Sequence, residues 1–184
     1  MIHLLGSEVA ADVLGELAIQ LASIFKMVCQ VRPERLNVAF ARDRMRNQYY
    51  STGILQAMQP FVEPGARLLA VTSVDLYVPV LTFVFGEAQL TGGCAVVSLH
   101  RLREEFYGLP AREELMRERL VKEAVHELGH TFGLRHCDDW RCVMTSSHAV
   151  ERLDVKGVDF CSTCGRVVAQ AQFYSVGMDQ PSPH

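Results

Sequence analysis

Three histidines and a glutamate fall within one short run of this chain, His126-Glu127-Leu128-Gly129-His130-Thr131-Phe132-Gly133-Leu134-Arg135-His136. On an α-helix His126 and His130 are four residues apart, so their imidazoles leave one face, one above the other. Two imidazoles so placed can hold one metal ion. Glu127 projects about 100° round the helix from His126, which suits a carboxylate that addresses a water at the metal and not the metal itself. Gly133 can take φ > 0 without steric cost, so the helix can stop there and the chain can turn. The turn brings His136 back as a third ligand. Three neutral imidazoles leave the fourth tetrahedral position of a zinc ion open, the layout of a catalytic site. The five-residue His-Glu-x-x-His pattern alone also occurs by chance. The glycine and the third histidine at these offsets make the reading specific.

A second constellation follows at once. Cys161-Ser-Thr-Cys164 has the two-residue spacing of a zinc knuckle, and Cys137 and Cys142, with four residues between them, supply a second pair. Four thiolates close a tetrahedron with no open position, so a metal held there is structural and its binding energy is also folding energy. Two disulfides would need an oxidising compartment. Free thiols would leave the spacing unexplained. Cys29 and Cys94 lie in apolar runs and read as buried core residues.

These residues need elements to position them. Ile2 to Leu5 reads as a buried strand, and apolar residues at helical spacing from Val9 to Val31 predict a long amphipathic helix ending before Pro33. Leu36 to Ala41 alternates as a strand, Asp43 to Asn47 is a polar loop, and Ser51 to Phe61 reads as helix. Leu68 to Val74 is a third strand. Leu76 to Phe85 is strand-like, but Pro79 cannot donate to a ladder and places it at a sheet edge. Gly92-Gly93 turns into a last strand, Cys94 to Leu99. The metal-binding helix then spans Glu113 to Leu134, with Glu113/Arg117 and Glu118/Lys122 as four-residue pairs on its solvent face. Cys164 to Phe173 predicts a closing helix, and Gly177 to His184 a frayed tail. The expected fold is α+β: a mixed twisted sheet with an antiparallel edge strand, helices on one side, and a small zinc-stapled C-terminal part. Residues 1–184 form a single domain, divided into 1–133 with sheet and active-site helix and 134–184 with the cysteine site.

The 184 residues can bury a substantial core. Their 49% apolar and 21% charged content is that of an ordinary globular protein. A net charge of −3 gives no reason to expect nucleic acid or an anionic membrane as partner. The most apolar run, Leu76 to Phe85, is too short to span a bilayer. Glu8, Asp12 and Glu16 interrupt the first helical segment, so no signal peptide is evident. The expectation is a cytoplasmic monomer.

The extended histidine motif, Cys137-x₄-Cys142-Val143-Met144 and Phe160-Cys161-x₂-Cys164 together resemble the archaemetzincin family of metzincin metallopeptidases. The resemblance is specific from His126 to Cys164 and looser before it. It implies His126, His130 and His136 as ligands of a catalytic zinc, Glu127 as general base, and Met144 as the methionine of a turn beneath the metal. It also implies Cys137, Cys142, Cys161 and Cys164 as ligands of a second zinc, two ions per chain. Some metzincins carry a tyrosine two residues after that methionine, where this chain has Ser146; His148 nearby is either a helper of the oxyanion or a surface residue. The expected activity is hydrolysis of peptide bonds in a peptide or protein by a zinc-activated water, as an endopeptidase or an aminopeptidase. The alternative is a non-catalytic zinc-binding interaction module that uses the cysteine knuckle, against which the presence of Glu127 speaks.

Overall fold

A computed structural model describes residues 1–177. The expected tail lies outside the described residues beyond Gly177. Five strands form the main sheet: β1 (Ile2–Ser7), β2 (Cys29–Arg35), β5 (Arg67–Thr72), β7 (Gly86–Ala88) and β8 (Cys94–Ser98). Their order is β2-β1-β5-β8-β7, parallel throughout except for the antiparallel edge strand β7. A small second sheet joins β3 (Arg42–Asp43), β4 (Gln48–Tyr50) and β6 (Leu76–Tyr77). The helices are α1 (Ala11–Phe25), α2 (Ser51–Met58), α3 (Glu113–Thr131), α4 (Val150–Val155) and α5 (Ser162–Gly177).

The central strands β5 and β8 are buried on both faces, as parallel strands under crossover connections are. On one face Leu69, Val71, Ala95 and Val97 meet Leu17 and Leu21 of α1 and Leu120, Ala124 and Leu128 of α3. Burying each such leucine contributes about 1.5–3 kcal/mol. On the other face Leu68, Ala70 and Val96 meet Ile54, Leu55 and Met58 of α2. The two long helices thus share a side as expected, while the short α2 covers the opposite apolar face.

Three local expectations change. The first helix ends at Phe25, where Lys26 takes φ 54°, and of the apolar residues after it Cys29 and Val31 belong to strand β2. Pro33 is tolerated there because β2 is an edge strand whose register breaks between its partners Leu4 and Gly6. Leu36 to Ala41 is therefore not a strand; Ala39–Ala41 is a single 3₁₀ turn. Of Leu76 to Phe85 only Leu76–Tyr77 is strand, and the antiparallel edge is Gly86–Ala88. Pro79, lacking an N–H, sits in the loop between them.

Helix α3 is buried on two sides, and its second side is polar. Arg119, Lys122, Glu123, His126 and Glu127 are each less than a tenth exposed. Buried polar groups need partners. Arg119 makes a two-pronged bond to Asp154, both at 2.7 Å, and pairs with Glu104. Lys122 Nζ pairs with Glu118 as expected, but is buried and also donates to Leu153 O at 3.0 Å. Arg117 turns away from Glu113 to Asp12 and Glu16, clamping α1 to α3. These bonds hold the chain after His136 against the helix that carries the histidines.

Candidate metal centre and active-site cleft

The three histidines converge as their spacing predicts. His126 and His130 lie on successive turns of α3, which ends where Gly133 takes φ 91°. Gly133 N–H donates to His130 O at 2.9 Å and Leu134 N–H to Gly129 O at 3.1 Å, closing the helix with the left-handed stop that glycine permits. Beyond it His136 folds back, its ring centroid 5.3 Å from that of His126 and 5.2 Å from that of His130.

Backbone carbonyls set the imidazole orientations. His126 Nδ1 lies 2.8 Å from Val143 O, and His130 Nδ1 lies 2.7 Å from Leu134 O. A carbonyl only accepts, so Nδ1 carries the proton in both rings and Nε2 keeps a lone pair. The two Nε2 atoms then face each other at 3.1 Å with no proton between them. Two lone pairs pointed together need a cation, and two nitrogens about 2.0–2.1 Å from one zinc ion sit close to this separation. Burial pushes the His126 pKa well below that of free imidazole, and lowers those of His130 and His136 as well. All three are therefore neutral at pH 7, as metal ligands must be. The donor set fits zinc.

Glu127 lies beside this cluster, under strand β7. A Cβ built on Gly86 would come within 2.7 Å of Glu127 Cγ, so only glycine lets the strand pass so close. Burial raises the Glu127 pKa well above the usual carboxylate range, the Glu123 and Glu87 carboxylates add to this, and Lys156 opposes it. Unlike its buried polar neighbours, Glu127 makes no ion pair among the described residues.

Met144 is fully buried beneath α3, and its Sδ would stand 2.5 Å from a Cβ at Gly129. Its carbonyl accepts from Cys137 N–H at 3.0 Å, tying the methionine to the start of the cysteine cluster. The four clustered cysteines are all free and their Sγ atoms lie within 4.8 Å of one another, with Cys137 and Cys161 at 3.9 Å. That separation is too long for a disulfide and close to the edge of a tetrahedron of sulfurs about 2.3 Å from one zinc ion. At the start of α5 the Cys164 N–H donates to the Cys161 sulfur and lowers its pKa to about 7, favouring the thiolate a metal needs. Cys29 and Cys94 lie outside both clusters, and burial pushes their pKa values up to about 12 and 11.

A cleft of about 760 Å³ runs past the histidines. Its upper rim is Leu81 to Ala88, its floor Glu123, His126, Glu127 and His130, and its lower lip Ser146 to His148. Because β7 ends the sheet order, its outer edge borders this cleft. Ser146 Oγ and His148 Nε2 lie 3.3 Å apart on the lip, so His148, though exposed, does reach the cleft. Gly86, Glu123, Lys156 and the carbonyls of Leu134 and Val143 were not singled out by the sequence. Only Glu123 left a signal there, being four residues before Glu127 on the same helical stripe.

The model of peptidase family M54 matches residues 43–170. An archaemetzincin from Methanocaldococcus jannaschii is 41% identical over 157 residues, covering 85% of this chain and 86% of that relative. One from Thermococcus kodakarensis is 52% identical over 123 residues, 66% of each chain. Among solved structures, a zinc-dependent peptidase from Methanocorpusculum labreanum superposes with a TM-score of 0.83 at 32% identity, covering 91% of this chain and all of that one. The archaemetzincin of Archaeoglobus fulgidus, complexed with malonate, gives 0.78 at 40% identity over 90% and 98%. The fold agrees with that of these relatives, and the chain belongs to peptidase family M54.

Proposed function

We propose that this chain is a zinc-dependent peptidase in which His126, His130 and His136 hold the catalytic ion and Glu127 is the general base. The observation that carries this reading is the pair of facing Nε2 lone pairs beside a buried carboxylate with no ion-pair partner. Zinc bound there supplies a Lewis acid that polarises the scissile carbonyl and acidifies water. The protein's own groups do the rest. Val143 O and Leu134 O fix the His126 and His130 rings through Nδ1, so Nε2 cannot turn away. Glu127 takes the proton of the attacking water on a carboxylate oxygen and returns it to the leaving amine nitrogen.

The outer edge of β7 offers main-chain groups to an extended peptide laid through the cleft, which aligns the substrate without reading its side chains. Ser146 and His148 on the facing lip are the available donors to the oxyanion. Cys137, Cys142, Cys161 and Cys164 hold a second, structural zinc that pins the segment after residue 134 as a distinct C-terminal part. No helix of the described residues is long and apolar enough to cross a membrane. The test is incubation of a mixed peptide library with the purified protein, with and without a chelator. Cleavage that chelator abolishes and added zinc restores supports the reading. Chelator-resistant cleavage, or none in zinc-replete protein, contradicts it.

A further inference from the structure

Glu123 stands one turn before Glu127, on the cleft-facing stripe of α3, and borders the cleft although only 4% of its surface is exposed. Its Oε1 accepts a hydrogen bond from Lys156 Nζ at 3.1 Å. Lys156 is buried, gives a second N–H to Thr145 O at 3.3 Å, and is not part of the cleft wall. The other Glu123 oxygen has no donor among the described residues. On the facing lip Ser147 Oγ is closed to solvent and has no hydrogen-bond partner. Buried acceptors left without donors are costly. Ser147 Oγ is one such acceptor, while the second Glu123 oxygen still reaches the water of the cleft beside the proposed base and is open to a donor brought by a ligand. The cleft's arginine, Arg135, follows the far end of α3, and the eight residue steps from Glu123 to Thr131 span about 12 Å of helix.

We infer that Glu123 makes this cleft selective for substrates with a basic side chain, Arg or Lys, next to the scissile bond. This rests on the peptidase reading above and names its substrate class. A guanidinium or ammonium entering beside Glu127 pairs with the vacant Glu123 oxygen. An aspartate or glutamate there would set carboxylate against carboxylate with Lys156 already engaged. An apolar side chain would shut the second Glu123 oxygen off from water without giving it a donor.

The test uses zinc-loaded Glu127→Gln protein, which holds peptide without turning it over, titrated calorimetrically with blocked alanine pentapeptides whose central residue is Arg, Leu or Glu. The Arg peptide should bind about 10- to 100-fold more tightly than the Glu peptide, the scale of one charge-assisted hydrogen bond. Adding Glu123→Gln, which keeps an oxygen for Lys156, should shrink the ratio to about 3-fold or less. If that variant fails to fold, the pair Glu123→Met with Lys156→Met removes both charges together and replaces it. Equal binding of the three peptides, none included, or a preference that survives the loss of Glu123, overturns the inference. Wild-type turnover of the same peptides separates the two readings. Cleavage without preference sinks only the role of Glu123, whereas binding preference without any cleavage sinks the peptidase.

Discussion

Gly86→Ala is the most local test of how the fold seats Glu127, the proposed base. The new Cβ would stand 2.7 Å from Glu127 Cγ, 2.9 Å from its Oε1 and 2.7 Å from Val96 O. Relaxed carbon contacts lie at about 3.5–4.0 Å, so roughly 1 Å must be found. Val96 O belongs to the backbone of the fully buried β8 and cannot retreat. The shift therefore falls on β7 and on Glu127. A catalytic group displaced by about 1 Å costs on the order of 10²-fold in rate, and overpacking of this kind costs about 1–3 kcal/mol of stability. The three atoms nearest that Cβ belong to Glu127 and Val96 and none to a histidine, so the metal should stay. The assay is kcat and KM on a cleaved peptide, with zinc content and Tm measured on the same preparation. The expected result is a kcat lowered about 10²-fold, unchanged zinc and a modestly lower Tm. Wild-type kcat in a folded variant would refute the close seating of Glu127 under β7, and loss of zinc would show that the strand supports the ligands instead.

Other expectations concern the two metal clusters. Purified protein should carry two zinc ions, the one on the three histidines leaving first under chelator, because that site is open and the thiolate site closed; elemental analysis during dialysis reads this, and one ion per chain would contradict it. Cys161→Ser should lower Tm more than His136→Ala, since the cysteine cluster orders a segment while α3 is already packed against the sheet; the reverse ranking in reducing, zinc-containing buffer would contradict it. In metal-free Glu127→Gln protein, Tm should fall as pH drops from 7.5 to 5.5 (about one unit on either side of the free imidazole value). His126, His130 and His136, with His3 adding the same sign, have folded pKa values below 6.5, so the unfolded chain binds more protons and stability is lost as pH falls. Metal-free wild type should lose less, because the raised pKa of Glu127 contributes stability that is complete below its unfolded value and lost as pH rises; a Tm flat with pH in the variant would contradict the burial of neutral imidazoles.

The residues of the candidate site were legible because helix geometry is local. Offsets of four and ten residues from His126, with a glycine between, bring His130 and His136 to one point whatever else the chain does. The cysteine pairs were legible from their close spacing alone, since Cys137 and Cys142 lie in a loop and only Cys164 lies in a helix. The elements around them were less so where two patterns overlapped. Val28 and Val31 continue the helical spacing of α1, yet the chain leaves the helix at Lys26 and these residues enter or flank an edge strand. Between Tyr77 and Phe85 strand-like composition lost to Pro79, and three residues further on took the edge. Long-range partners left no trace in sequence. Nothing in the spacing of Lys156 joins it to Glu123, and nothing around Gly86 announces that a carboxylate lies beneath it.

The most direct measurement is turnover and zinc content of Glu127→Gln determined side by side with wild type on one cleaved peptide. Glu127 is not a ligand in this account, so the variant should keep both zinc ions and the wild-type fold. It should lose about 10²- to 10⁴-fold in kcat, the worth of a positioned general base. Undiminished turnover at full zinc content would contradict the assignment of Glu127 as base, and loss of the histidine-bound zinc would make Glu127 a ligand.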